Sequence, residues 1–381
     1  MDRRSFLQGS LGAAAASIAA QGIARGQASP APQDPPADAT GVWLTGDTAP
    51  ADSAAMAARL AALAQRGNAN AIDRYLVAGE VKALERAFAE LLGKEDCAFI
   101  ATGTLANNIA VRLLCGEHRR VLVQRESHLY RDEVDSAQRL SGINLLTLAP
   151  DRAIPTLEEV RAAIDASEGE RYPMRIGAIS LESPVRRANG EMVPLDRVRE
   201  IAGLARAHGA RLHLDGARLL LAPPALDVRA YAAEFDTVYV SLYKYLGAPF
   251  GAVLAGPQAD IDQARELRRL YGGTLWQGWM PAMLARDSLP DFRERIVQAH
   301  EHAARLIAAL VGSGKVIDRT SPHASNIHLL EMPEAMAKAA NERGRRAGVR
   351  MRPWDQGVVP VFVNTTILRR PVSEYVALFL G

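Results

Sequence analysis

The stretch Val238–Gly256, VYVSLYKYLGAPFGAVLAG, decides how the rest of the chain is read. Two apolar, β-rich runs flank Ser241, Lys244 and a Gly/Pro turn, which is the composition of interior strands. Lysine is almost never fully buried unless it is paired or used. A lysine held in a dry pocket loses part of its preference for the charged form, and its neutral amine can form a Schiff base with a carbonyl compound. Upstream, Arg211–Ala217 reads RLHLDGA, a second short strand that ends in the acid Asp215. One lysine and one acid at the ends of neighbouring strands match the needs of pyridoxal phosphate (PLP). That cofactor takes an amine on its aldehyde and a carboxylate on its pyridine nitrogen.

Outward from these segments, strand and helix alternate. A short strand, Cys97–Ala101, leads into Thr102-Gly103-Thr104 and a helix carrying Asn107, Val111 and Leu114. Backbone N–H groups at such a helix start can hold a phosphate, although many βα turns share the signal. Strands at Val121–Gln124, Leu145–Leu148, Ile176–Leu181 and around Leu212 are separated by helices from about Leu129, from Leu157 and over Leu195–His208. Two further helices precede them. Ser53 caps one that runs through Met56, Leu60 and Leu63 and stops near Gly67; the other covers Val81–Leu92 and closes at Gly93. This alternation predicts a mainly parallel sheet covered on both faces. Beyond Gly256 the pattern changes to helices over Gln258–Tyr271 and Asp291–Val311, then strands near Ile327 and Val361 around a helix at Pro333–Arg346. This predicts a smaller α+β domain, joined through a long helix, with its boundary near Leu289.

The 381 residues, 48% hydrophobic and 23% charged, have the composition of an ordinary globular chain with room for two domains. A net charge of +2 gives no general attraction to nucleic acid or an anionic membrane, and the body of the chain has no apolar run long enough to span a bilayer. Cys97 and Cys115 lie in apolar surroundings and read as small buried hydrophobes rather than a disulfide. At the N-terminus, DRRSFLQ (Asp2–Gln8) is close to the twin-arginine export pattern. A mild, Ala-rich stretch follows over Leu11–Ala20, with a small-residue cleavage site at Gly26-Gln27-Ala28. Residues 1–28 are therefore expected to be a twin-arginine signal peptide, residues 29–40 a Pro/Ala/Asp-rich linker, and the mature protein periplasmic.

Four motifs occur in order: GKEDCAFIATGTLAN (Gly93–Asn107), Ser127-His128, LHLDGARLLLA (Leu212–Ala222) and SLYKYLGAPFGAVLAG (Ser241–Gly256). Together they resemble the threonine aldolase and aromatic amino acid β-eliminating lyase family of PLP enzymes, over about Leu44 to Leu330. The resemblance implies an α/β, fold-type-I PLP architecture like that of aspartate aminotransferase. Its large domain, with a mainly parallel central sheet, would cover residues 41–288, and a small C-terminal α+β domain residues 289–381. It implies that Gly103 and Thr104 donate to the cofactor phosphate, with Ser241 as a further donor, and that His128 lies flat on the cofactor ring. Asp215 would keep the pyridine nitrogen protonated, and Lys244 would hold the aldehyde and move protons. Arg218 matches the arginine that grips the substrate carboxylate with its bidentate fork. The implied activity is that of a lyase acting on an amino acid, by retro-aldol cleavage of a β-hydroxy amino acid or by β-elimination. The family's sites are shared between subunits, so a homodimer or homotetramer is implied. A racemase or aminotransferase, or a binding protein without lyase activity, stays open on the same scaffold.

The chain also departs from the family. Its opening Leu-Arg-Ser-Asp-Thr is Leu44-Thr45-Gly46-Asp47-Thr48 here, and the histidine-bearing Asn-Thr-His-Asn segment is replaced by Ser183-Pro184-Val185-Arg186-Arg187-Ala188-Asn189. Trp276 replaces a loop arginine, Val361-Phe362-Val363 stands where a second carboxylate arginine is expected, and Tyr243 and Tyr245 replace small residues beside the lysine. The cofactor side is kept and the substrate side rebuilt. Arg186 and Arg187 are candidates to bind an anionic substrate group in compensation, and the three aromatic replacements are expected to add bulk near the cofactor.

Overall fold

A computed structural model describes residues 41–66, 72–169 and 171–381. The expected signal peptide, the linker and the helix stop at Gly67 lie outside the described residues. In chain order the first half contains β1 (Val42–Leu44), α1 (Ser53–Arg66), α2 (Gly79–Leu92), β2 (Asp96–Ile100), α3 (Gly103–Cys115), β3 (Arg120–Gln124), α4 (His128–Arg131), α5 (Ser136–Ser141), β4 (Asn144–Leu148), α6 (Leu157–Glu168) and β5 (Ile176–Glu182). Next come α7 (Leu195–Ala207), β6 (Arg211–Asp215), α8 (Val228–Ala233), β7 (Thr237–Ser241), β8 (Ala252–Gly256), α9 (Gln258–Leu270) and α10 (Trp279–Gly312). The C-terminal part is β9 (Ile317–Asp318), β10 (Ile327–Glu331), α11 (Glu334–Arg346), β11 (Val349–Met351), β12 (Val358–Phe362) and α12 (Val372–Leu380).

The apolar runs form a seven-stranded sheet in the order β2-β8-β7-β6-β5-β3-β4. Strands β4, β3, β5, β6 and β7 are parallel, and only β8 runs against its neighbours β7 and β2. Every residue of β5, β7 and β8 is buried, as expected for strands covered by helices on both faces. This is the mainly parallel sheet that the sequence alternation predicts. The covering helices start and stop on local signals. Gly93, with φ of 65°, closes α2, and Thr156 with Glu159 forms a capping box at α6.

Two elements differ from expectation. The helix predicted from about Leu129 is split into α4 and α5, because Val134 and Asp135 both take a φ of 54°. The break turns the Glu133 side chain into the interior, where the residue is 3% exposed. Farther on, α10 starts at Trp279 rather than near Asp291 and runs through Pro290 for 34 residues. Proline removes one helical hydrogen bond, but Leu284, Ala285, Phe292 and Ile296 are buried on either side of it and carry the helix across. Leu289, the expected domain boundary, thus lies inside a helix.

Near the C-terminus, β12, β10 and β9 form a separate antiparallel sheet, and β1 pairs in parallel with β11 through Val42↔Val349 and Leu44↔Met351. Cys97 and Cys115 are buried and free. No helix among the described residues is long and apolar enough to cross a membrane.

Candidate active site

Parallel strands bring their carboxyl ends to one edge, where the chain must leave the sheet and ligands commonly bind. Just past the ends of β2, β3, β5, β6 and β7 lies a pocket with about 440 Å³ of empty space, part of which is open solvent. Six of the residues predicted from sequence line it: Gly103, Thr104, His128, Asp215, Arg218 and Lys244. Asn107, Glu182, Tyr239 and Tyr243 line it as well.

Asp215 ends β6 and is 3% exposed. One of its oxygens accepts from Asn107 Nδ2 at 2.8 Å and the other from the Ala217 backbone N–H at 3.1 Å. The same Asn107 nitrogen donates to Glu133 Oε1 at 2.9 Å, so one amide group bridges two buried carboxylates. Asn107 Oδ1 can only accept, which requires His213 Nε2, 3.1 Å away, to donate. His213 Nδ1 then accepts from the Thr237 hydroxyl at 2.9 Å. Burial pushes the His213 pKa down to about 4, so the imidazole is neutral and this tautomer is fixed by its partners. The chain Thr237–His213–Asn107 thereby orients Asp215 without adding a charge.

Glu133 also receives His128 Nδ1 at 2.9 Å and, on its other oxygen, Asn108 Nδ2 at 2.9 Å. Its hydrogen bond is the main reason the His128 imidazole is held above its ordinary pKa, while burial raises that of Glu133 itself. Glu182 ends β5, in register with Asp215. It accepts from the backbone N–H of His128 at 2.6 Å and of Arg186 at 2.8 Å. Burial, then the nearby Asp215, raises its pKa to about 7, a value suited to taking and returning a proton near neutrality.

Lys244 faces this floor from the turn after β7. Burial first, and the like charge of Arg218 second, lower its pKa from 10.5 to about 8, which enlarges the share of free amine. Its Nζ lies 5.7 Å from the centre of the Tyr243 ring. Arg218 is paired with Asp47 through Nε, 3.0 Å from each carboxylate oxygen. A substrate carboxylate binding there meets an arginine already held in place, and it must share or displace Asp47.

Three predicted residues lie off the lining. Ser241 ends β7, and its buried Oγ has no hydrogen-bond partner. Arg186 follows Glu182 and stacks on Phe362, with its guanidinium 5.4 Å from the ring centre. Arg187 instead pairs with Asp132 through Nε at 3.1 Å and lines a different cavity with Glu126 and Arg152. Of the three aromatic replacements, only Tyr243 reaches the pocket. Tyr245 is buried against Phe292 at 5.2 Å between ring centres, and Trp276 is 54% exposed and packed on Tyr75.

Residues that sequence reasoning passed over are Asn107, Glu133, Glu182, His213, Asp47 and Arg352. Glu182 carried a readable signal, an apolar strand closing in an acid, the same one that marked Asp215. Arg352 donates from Nε to the Thr45 carbonyl at 2.9 Å and lies 5.2 Å from the Phe362 ring centre. Although Val361-Phe362-Val363 carries no arginine, the segment after β11 supplies one beside it.

The residues present fit PLP. A Cβ on Gly103 would stand 2.0 Å from the Tyr239 hydroxyl, so only glycine leaves the start of α3 open there. Thr102 Oγ1 caps the Leu105 N–H at 3.2 Å, which leaves the N–H groups of Gly103 and Thr104 at the helix start to suit a phosphate, and the orphaned Ser241 hydroxyl lies at the end of the neighbouring β7. Asp215 supplies a fixed carboxylate for a protonated ring nitrogen, and Lys244 an amine of lowered pKa.

The comparisons with known proteins agree. Residues 44–335 match the family model for β-eliminating lyases. The chain is 28% identical over 263 residues to a probable low-specificity L-threonine aldolase 2 from Arabidopsis thaliana, covering 68% of this chain and 74% of that one. It is 31% identical over 282 residues to the alanine racemase TOXG of Cochliobolus carbonum, covering 68% and 69%. A crystal structure of a putative aromatic amino acid β-eliminating lyase/threonine aldolase from an Exiguobacterium species superposes with a TM-score of 0.75 at 26% identity, over 89% of this chain and 95% of that one. With its site at the strand ends and its sequence matched across most of its length, this chain belongs to the β-eliminating lyase family and is a PLP-dependent, threonine-aldolase-like lyase of fold type I.

Proposed function

We propose that the chain cleaves a β-hydroxy amino acid by the retro-aldol route, giving glycine and an aldehyde. The observation that carries this reading is Glu182, a buried carboxyl lining the pocket with Lys244 and poised near pH 7. The family resemblance implies a histidine near the substrate hydroxyl in the stretch that is Ser183–Asn189 here. Glu182, immediately before that stretch, takes its place as the acceptor of the hydroxyl proton as the Cα–Cβ bond breaks. Bound PLP supplies the electron sink for that bond breaking. Lys244 Nζ returns a proton to Cα, Arg218 orients the substrate carboxylate, and Glu133 holds the His128 ring by its Nδ1. Glycine released from threonine or β-aryl-serines, without pyruvate from β-substituted alanines, is the expected result. Pyruvate release alone would overturn the reading. Glu182→Gln should slow glycine release by about 10²-fold, the range for one general base.

Racemisation is the second reading, favoured by the similarity to the racemase TOXG. Exchange of the Cα hydrogen for deuterium, with inversion and no glycine release, would favour it.

Two further proposals concern the setting of the site. Arg3 and Arg4 ahead of the mild stretch Leu11–Ala20 support twin-arginine export to the periplasm; changing both arginines to lysine should leave precursor in the cytoplasm. Exposed Ile72, Tyr75, Val77 and Trp276 support a homo-oligomer, which sedimentation would read directly.

A further inference from the structure

From three separate segments, Arg186 and Arg352 come close to Arg218, which lines the pocket, and the three form its cationic mouth. The loop Thr45-Gly46-Asp47 ties two of them together: its Thr45 carbonyl accepts from Arg352 Nε at 2.9 Å, and Asp47 holds Arg218 at 3.0 Å. Arg186 is fixed at its backbone, where its N–H donates to the pocket residue Glu182 at 2.8 Å. Phe362 joins Arg186 to Arg352, with the two guanidinium carbons 5.4 and 5.2 Å from one ring centre. An aromatic ring attracts each cation, but gathering two around one ring leaves their mutual repulsion in place.

The charge count is uneven. Asp47 is engaged by Arg218, and the Glu182 oxygens accept backbone N–H groups rather than a guanidinium. Neither Arg186 nor Arg352 forms an ion pair with a carboxylate among the described residues. Half-buried guanidinium groups without an anion are poised to take one, and their planar forks suit a carboxylate. Arg218 lines the pocket with Lys244, whereas Arg186 and Arg352 stand off the lining. An anion held by the outer pair is therefore a different group from the carboxylate next to the reacting carbon.

We propose that Arg186 and Arg352, gathered on Phe362, form a subsite for a second carboxylate on the substrate side chain. This rests on the retro-aldol reading and names its substrate class: a β-hydroxy amino acid bearing a carboxylate beyond Cβ. In its cleavage the Cα–Cβ bond breaks, the hydroxyl proton leaves and Cα gains a proton. Glycine and an aldehyde carrying the second carboxylate result, with no oxidant or reductant required.

The test separates binding from chemistry. The holoenzyme is titrated with L-aspartate and with its neutral isostere L-asparagine, neither of which has a β-hydroxyl, and the cofactor absorbance is followed. Aspartate should bind at least about tenfold more tightly, the size of one charge-assisted contact. Arg186→Gln and Arg352→Gln should each bring that ratio towards one, and Arg352→Lys should restore part of it. Because the ratio is internal to each variant, a general loss of stability does not mimic the effect. Equal affinities in the unaltered protein, or a ratio that survives both glutamine variants, would overturn the subsite. The second arm measures kcat/KM for glycine release from β-hydroxyaspartate against β-hydroxyasparagine, with a preference of about tenfold to a hundredfold expected for the acid. Tight aspartate binding without glycine release would leave the subsite standing and remove the retro-aldol reading instead.

Discussion

The floor and the mouth of the pocket are built on opposite electrostatic plans. On the floor, the carboxylates Asp215 and Glu133 share the donor Asn107, which a neutral His213 steadies from behind. At the mouth, cationic Arg186, Arg218 and Arg352 gather with Asp47 as the acid engaged in an ion pair. The floor satisfies its buried charge internally and presents one fixed geometry, whereas the mouth keeps charge available for a ligand. A buried polar network is stable only when its members are paired, so a cofactor that stays bound can be met by a closed network. A substrate that comes and goes needs a surface with capacity left over.

The largest effect should come from Lys244, the floor-side lysine whose lowered pKa suits it to bond the cofactor aldehyde. Lys244→Ala should lower activity by about 10²–10⁴-fold or more, the range for losing a positioned proton carrier alone. Borohydride should no longer fix a pyridoxyl group in the peptide that holds residue 244. In the unaltered protein, PLP capture by the cofactor-free chain should rise with pH and reach half its maximum near 8, since burial holds the amine at about that value. A midpoint near the ordinary lysine value would mean that the pocket is wetter than its geometry implies.

Glu182 sits where the two plans meet. Its carboxyl is raised from 4.5 to about 7, so the folded state binds a proton that the unfolded chain has released. That contribution to stability is full below about pH 4.5 and is lost as pH rises through 7, by up to about 3 kcal/mol. Melting temperatures should therefore fall less between pH 5 and 8 for Glu182→Gln than for the parent. Identical pH profiles would place Glu182 among ordinary solvated acids.

Asn107→Ala leaves two buried carboxylates without their common donor and should cost about 1–3 kcal/mol in urea unfolding. A cost no larger than that of Arg352→Ala would erase the distinction between closed floor and open mouth. The smallest effect belongs to Arg187, whose exposed pair with Asp132 lies away from the pocket. Arg187→Ala should change stability by about 0.5 kcal/mol or less, and turnover by under about twofold. A larger loss of turnover would extend the mouth to a residue that the fold turns elsewhere.

What was legible follows from where each residue sits in the chain. Lys244, Asp215 and Gly103 lie at strand ends beside apolar runs, and a strand end is a local signal. Glu182 carried the same signal and was readable. Asn107 and His213 were not, because an inward-facing amide in α3 and a histidine in β6 acquire meaning only when the two elements pack together. Arg352 was invisible for a further reason: it lies in a segment ahead of β12 and meets Phe362 only once the chain has folded. Trp276 and Tyr245 show the converse, since matching a family position does not say which way a side chain points. The break at Val134-Asp135 was also hidden, because neither residue is the glycine that a positive φ favours.

The pairing of β1 with β11 has a consequence for the order in which the protein is made. All seven strands of the main sheet, and with them Lys244 and Asp215, lie between Asp96 and Gly256. Asp47 leaves the ribosome before any of them. Its loop is nevertheless fixed by partners that leave it last: β11, Arg352 and Asn364, whose Nδ2 donates to the Gly46 carbonyl at 2.9 Å. Chains form structure from the N-terminus as they emerge, yet here one of the earliest segments waits for one of the latest. A growing chain therefore gains the means to hold its cofactor before its means of choosing among substrates is complete.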